Sequence, residues 1–349
     1  MKRFSLFLAL LLLTGQVFAT SLDDKIGQMI ITGFDGNDVN SKGFKKAVKK
    51  VEKGEISGVI LFSKNIKDEK SLIEMNGKIL SSNPTTPFVA IDNEGGMVQR
   101  YDFMKHKSAK VVAKMTEKEA GIHYSSMAKF EKKLKINLNF APVVDLTINK
   151  DSIINKKERS FGDNPKIVSK YAKIFITEHN KQKIATSIKH FPGHGSVKGD
   201  TNKGFVDATN TFKEDEIKPY ISLKNFDKLN TVMVSHIFNS KIDDKYPASL
   251  SDKTVNGLLK DKIGFKGVVV SDDYDMGAIM NNYSLRDNIV LAVNAGVDLM
   301  IFSNNLNRHD DKISDKIHKI IKQEIRKGNI KEADIDNSYI KIMALKSQL

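Results

Sequence analysis

The sequence contains no cysteine. That excludes a nucleophilic thiol, a cysteine-held zinc and a disulfide framework, and it leaves the hydrophobic core as the source of stability. Linkers rich in proline, glycine or serine are absent, as are low-complexity tracts and internal repeats, so one domain is the economical reading. No nucleic-acid recognition motif occurs. The chain has one extended apolar run in its first residues, Phe4 to Leu13, and it is too short to cross a bilayer comfortably.

That run lies between the basic pair Lys2 and Arg3 and the small-residue exit Val17-Phe18-Ala19. This is the layout of a secretory signal peptide cleaved after Ala19; an uncleaved anchor is the alternative. Residues 1–19 are expected to be the signal, and 20–349 the exported chain, periplasmic or secreted. No cysteine follows to carry a lipid.

Of the 349 residues, 40% are apolar and 28% charged, the balance of a globular protein. The formal net charge is +14, and +12 without Lys2 and Arg3. Lysine-rich stretches such as "KGFKKAVKKVEKG" from Lys42 read first as solvated helix faces. An exported basic chain meets anionic envelope polymers and lipids before nucleic acid, so electrostatic association with the envelope is the expected weak partnership. Oligomeric state leaves no mark in the sequence.

Eight short β-branched runs begin near residues 29, 58, 87, 136, 184, 231, 267 and 297, and longer segments of helical periodicity separate them. Continuous apolar strands with helical crossovers predict a parallel sheet covered on both faces. Eight such units predict a single (β/α)8 TIM-type barrel of class α/β, whose working loops follow the carboxyl ends of the strands; a doubly wound open sheet is the alternative. Polar residues gather at those ends: Asp92, Asn93 and Glu94, then Asp145, Lys189 and His190, Ser235 and His236, Asp272 and Asp273. Loops 93–116, 146–164 and 191–213 are longer than packing requires.

Several of these residues have a chemical and a structural reading. Asp272 or Asp273, after "GVVVS", is placed to attack or stabilise an electron-poor carbon, or to cap the next helix. Asp92 and Glu94 either meet a ligand beside Gly95 and Gly96 or pair with Arg100. Arg159 is set to bind substrate oxygens or to neutralise an acid. Asn139 is set to brace a strand end. His190 and His194 have the spacing of a helical metal pair, but Phe191-Pro192-Gly193 breaks the helix that spacing needs, so hydrogen bonding to a polyhydroxylated ligand, with Lys189, fits better. No metal site is expected.

With these residues in view, the chain resembles glycoside hydrolase family 3, in particular its β-N-acetylglucosaminidases. The similarity rests on "IDNEGGMVQR", "NFAPVVDL", "RSFG", "IKHFPGHG", "VMVSHIF", "PASLS" and "VVVSDDYDMGAI", spread along the mature chain. It implies the (β/α)8 fold, no cofactor, and retaining removal of terminal β-linked N-acetylglucosamine from amino-sugar glycans such as peptidoglycan fragments. Asp272 matches the nucleophile. Asp92, Arg100, Arg159, Lys189 and His190 match sugar-binding positions, with His194 and His236 in supporting places.

Three departures qualify that likeness. Similar enzymes place Asp-x-His on a mobile loop after "KHFPGHG", the histidine serving as general acid and base; here the residues are Asp200-Thr201-Asn202. An amide has no usable proton, so Asn202 cannot take that role; Asp200, with a raised pKa, and Asp207 are the nearby carboxylates, and the sequence leaves open which of them, if either, replaces it. Met97 stands where similar sequences carry arginine. The signal peptide is the third departure, because most such relatives act in the cytoplasm. The sequence therefore leaves three outcomes open: hydrolysis with an unusual acid, sugar binding without turnover, and glycosyl transfer to phosphate.

Overall fold

The computed structural model describes residues 20–305 and 309–349, so the expected signal peptide lies outside the described residues. Eight parallel strands close into a barrel in sequence order. They are β1 (Ile30–Thr32), β2 (Gly58–Leu61), β3 (Phe88–Ile91), β4 (Leu138–Asn139), β5 (Ala185–Phe191), β6 (Thr231–Val234), β7 (Val268–Asp273) and β8 (Leu299–Phe302). Closure is made by β8 on β1, with Ile31 opposite Ile301. Every residue of these strands is buried except Asp272 and Asp273, as expected of a barrel filled from inside and covered from outside.

Around it lie α1 (Leu22–Gln28), α2 (Lys42–Glu52), α3 (Glu69–Leu80), α4 (Ala109–Val112), α5 (Glu117–Lys133), α6 (Ile153–Lys156), α7 (Pro165–Lys181), α8 (Lys218–Leu223), α9 (Gly277–Met280), α10 (Leu285–Ala295), α11 (Ile313–Arg326) and α12 (Glu332–Lys346). Local signals set their ends. Thr116 and Glu119 form a reciprocal capping box at the start of α5, Asn164 caps α7 ahead of Pro165, and α10 stops where Gly296 turns left-handed. On α2 the buried side chains Phe44, Ala47 and Val51 share one stripe, which leaves most of its lysines facing solvent.

Departures from the sequence pattern have local causes. The run expected as a strand over 136–146 is regular only at Leu138–Asn139, because Pro142 lacks the N–H a ladder needs. Its continuation still tracks β5, with Val144 N–H donating to Lys189 O at 2.9 Å. The helix expected over 214–228 is a 3₁₀ turn, Glu214–Ile217, running into α8; Lys253–Ile263 winds as a π-helix. Four short helices, α1, α4, α6 and α9, carry too little periodicity to be read in advance.

Candidate active site

The carboxyl ends of the strands enclose a cavity of about 380 Å³, within the size range of small-molecule sites. Its floor is a cluster of alternating charge. Lys189, at the end of β5, places Nζ 2.8 Å from Asp92 Oδ1 and 2.8 Å from Glu94 Oε1. Arg100 donates to the other Asp92 oxygen at 3.0 Å and lies over the Phe62 ring. Arg159 grips Glu94 with two parallel bonds, Nε to Oε2 at 2.8 Å and Nη2 to Oε1 at 2.7 Å. Burial alone would raise both carboxyls, but Lys189 and Arg100 outweigh it at Asp92, held well below the usual range, and Arg159 with Lys189 brings Glu94 down to about 2. Both acids are therefore ionised, and the cluster presents a fixed field of donors and acceptors.

Asp92, Glu94 and Arg159 are thus ion-paired and line the cavity at the same time. Gly95 and Gly96 have a different task from the expected close approach to a ligand. Their φ values are +85° and +61°, and a Cβ would stand 2.3 Å from Lys107 O at the first and 2.6 Å from Ser108 Cβ at the second. They turn the chain and let it pass its own loop.

His190 uses both ring nitrogens. Nδ1 donates to Asp145 Oδ2 at 2.6 Å, and Nε2 accepts from Arg159 at 3.2 Å. Asp145 also accepts the backbone N–H of His194 at 2.8 Å, which ties the "KHFPGH" turn to the end of the β4 run. Burial, with the neighbouring His190, pushes the His194 imidazole down to about 4. No group of three or more His, Asp or Glu among the described residues is arranged to hold a metal.

Asp272 and Asp273 differ sharply. Both line the cavity, where Asp272 accepts the backbone N–H of Asp273 at 2.9 Å. Asp273 turns to the end of β8, accepting from Ser303 N at 2.9 Å and Asp275 N at 3.1 Å, and burial together with Asp275 pushes its carboxyl up to about 7. Neither caps α9, whose N-cap is Met276. His236 lies wholly behind this strand end, bonded to Ser249 Oγ at 2.7 Å and Asp273 O at 2.9 Å, so it braces β7.

The loop after β5 closes the mouth. Asp200, half-buried, accepts from Asn202 twice through one oxygen: the backbone N–H at 3.0 Å and the side-chain amide at 2.8 Å. Both residues line the cavity. Two backbone bonds stitch the loop to α9: Gly277 N–H to Asn202 O and Ala278 N–H to Thr201 O, each 3.1 Å. A Cβ at Gly277 would come within 2.9 Å of Lys203, so only glycine allows this approach.

The structure thus gathers Asp92, Arg100, Arg159, Lys189, His190, His194, Asp200, Asn202 and Asp272 on one cavity and leaves His236 behind its wall. Sequence reasoning gave too little weight to Glu94 and Asp145 and missed Phe62, Lys157 and Asn305 in the lining. For Phe62 the signal was available, one residue past a strand end.

The profile of the glycosyl hydrolase family 3 N-terminal domain matches residues 21–345. A β-hexosaminidase from Photobacterium profundum is 33% identical, over 72% of this chain and 75% of its own length. An uncharacterized secreted glycosyl hydrolase from Arthroderma benhamiae is 26% identical over 99% of both chains. Among solved structures, a glycoside hydrolase family 3 β-N-acetylglucosaminidase from Paenibacillus sp. str. FPU-7 is similar, with a TM-score of 0.84 at 26% identity over 95% of this chain, which spans 63% of the length of that one.

Proposed function

The chain belongs to glycosyl hydrolase family 3 and is a glycoside hydrolase; from that premise we propose that it is an exported, retaining exo-β-N-acetylhexosaminidase with Asp272 as nucleophile. The observation that carries this reading is the sorting of the cavity's carboxylates. Asp92 and Glu94 are locked in ion pairs, and Asp273 is bound to the end of β8. That leaves Asp272 and Asp200 for chemistry.

In this mechanism an Asp272 oxygen bonds to the anomeric carbon while the glycosidic bond breaks, its electron pair leaving on the aglycone oxygen, which takes up a proton from solvent water. Water then attacks the same carbon, gives a proton to a base, and releases the Asp272 carboxylate. Asp92, Arg100, Arg159, Lys189 and His190 hold the sugar hydroxyls. Arg100 Nε and His194 Nδ1, buried and without hydrogen-bond partners among the described residues, support a polar ligand there.

Asp200 serves the second step best. Two N–H groups of Asn202 hold one of its oxygens at the cavity, where the carboxylate is placed to take the proton that the attacking water gives up. The first step, which needs a donor, is then the weak one, so substrates with good leaving groups are favoured over glycans. General acid catalysis is worth about 10² to 10⁴-fold.

The test uses 4-nitrophenyl β-N-acetylglucosaminide and a wall disaccharide ending in N-acetylglucosamine, with the parent, Asp272→Ala and Asn202→His. The parent should cleave the aryl glycoside and act poorly on the disaccharide. Asp272→Ala should abolish both activities, and Asn202→His should raise disaccharide cleavage by about 10²-fold or more. Binding of both compounds with no cleavage by the parent would instead identify a sugar-binding protein.

A further inference from the structure

Behind β3 and β4, in the helix layer, lie two ionisable side chains that the chemistry above does not use. Glu131, on α5, and His179, on α7, are each 0% exposed. Glu131 Oε1 accepts from Asn93 Nδ2 at 2.7 Å and from Asn139 Nδ2 at 2.9 Å. Glu131 Oε2 faces His179 Nε2 at 3.3 Å, and neither of those two atoms has another partner among the described residues. The other imidazole nitrogen, Nδ1, lies 2.8 Å from Phe175 O; a carbonyl only accepts, so Nδ1 carries a hydrogen. Two lone pairs cannot face each other across 3.3 Å of buried space at low cost, so one proton lies between Glu131 and His179.

The two amides lead directly to the cavity. Asn93 stands between Asp92 and Glu94, and it is held at every polar atom but one. Its N–H donates to Asn139 Oδ1 at 3.0 Å, and its carbonyl accepts from Asn139 Nδ2 at 3.0 Å. Its side-chain amide bonds Tyr101 Oη at 2.7 Å as well as Glu131. Tyr101 in turn meets His106 Nε2 at 3.1 Å, so the neighbours facing the pair from the loop are Tyr101 and His106.

We infer that Glu131 and His179 are positioning residues: sharing one proton, they anchor Asn93 and Asn139 and thereby fix Asp92 and Glu94, the acids that hold Lys189, Arg100 and Arg159. This deepens the reading of that cluster as the sugar clamp and rests on it. Stability alone gives the pair little reason to exist, because apolar residues of similar volume commonly replace a buried ionic pair without loss. A glutamate there supplies what a leucine cannot, an acceptor for two amides at once.

The test compares Glu131→Gln with the double variant Glu131→Leu/His179→Leu. Glutamine presents its oxygen to the two asparagines and an N–H to His179, so Glu131→Gln should retain KM for 4-nitrophenyl β-N-acetylglucosaminide within about twofold. The double variant packs but offers no acceptor. Its KM should rise about tenfold as both amides lose their shared acceptor and the clamp loosens, with kcat changed less. In ¹H–¹⁵N spectra the side-chain amide signals of Asn93 and Asn139 should move in the double variant and stay in Glu131→Gln. A double variant with the parent KM and unmoved amide signals overturns the inference. If the parent does not cleave the glycoside, the proposed function fails by itself, and the amide signals still decide whether the pair anchors Asn93.

Discussion

Two buried lysines mark opposite ends of the barrel. At the mouth, Lys189 is clasped by Asp92 and Glu94 at 2.8 Å each, and although burial opposes its charge, these acids raise its pKa. At the base, Lys346 of α12 reaches Gln28 Oε1 at 2.7 Å and Ser57 O at 3.0 Å, with Nζ 4.7 Å from the Phe88 ring centroid. No carboxylate among the described residues meets it, and burial pushes it down to about 7. The same side chain is thus a fixed cation where ligand arrives and a group near neutrality where the barrel is only packed. Barrel mouths concentrate function and barrel bases stability, and here the carboxylates follow that division.

The comparison breaks most visibly at Lys189. Lys189→Met leaves Asp92 with Arg100 alone and Glu94 with Arg159 alone, so the protein should lose about 1 to 3 kcal/mol of stability in denaturant titrations. Cleavage of the aryl glycoside should fall by at least about 10²-fold, since the clamp that orients the sugar shifts. Arg159→Lys is milder: a lysine keeps the charge but not the two-pronged grip on Glu94, and about a tenfold loss in kcat/KM is expected, mainly through KM.

Lys346→Met should leave activity intact and raise the melting temperature at neutral pH. The folded pKa of about 7 lies below the ordinary 10.5, so Lys346 contributes fully above the higher value and its contribution is lost as pH falls toward the lower one. The stability gap between Lys346→Met and the parent should therefore narrow as pH rises from about 7 to 10. A gap constant over that range would show that the base lysine is charged throughout, and the contrast between the two ends would disappear.

The fold was legible in the sequence because β-branched runs and helical spacing are local signals, and all eight strands lie where those runs lie. Asp92, Lys189, His190 and Asp272 were legible for the same reason, each lying at or just past the end of a strand. Their partners were not. Glu94 and Arg159 are 65 residues apart, and only barrel closure brings them together. Glu131 reads as surface charge in "KFEKKLK", yet it is wholly buried, because its justification lies on α7, β3 and β4. Patterns along the chain report which face a residue takes, and are silent about what waits on that face.

The backbone stitch between Gly277 and Asn202 has a consequence for inheritance. Because main-chain atoms and a glycine hold the loop against α9, the position of residue 202 depends little on its side chain. Asparagine and histidine codons differ in their first base alone. A lineage carrying this gene can therefore gain or shed an imidazole at the mouth by one substitution, without rebuilding the loop that presents it.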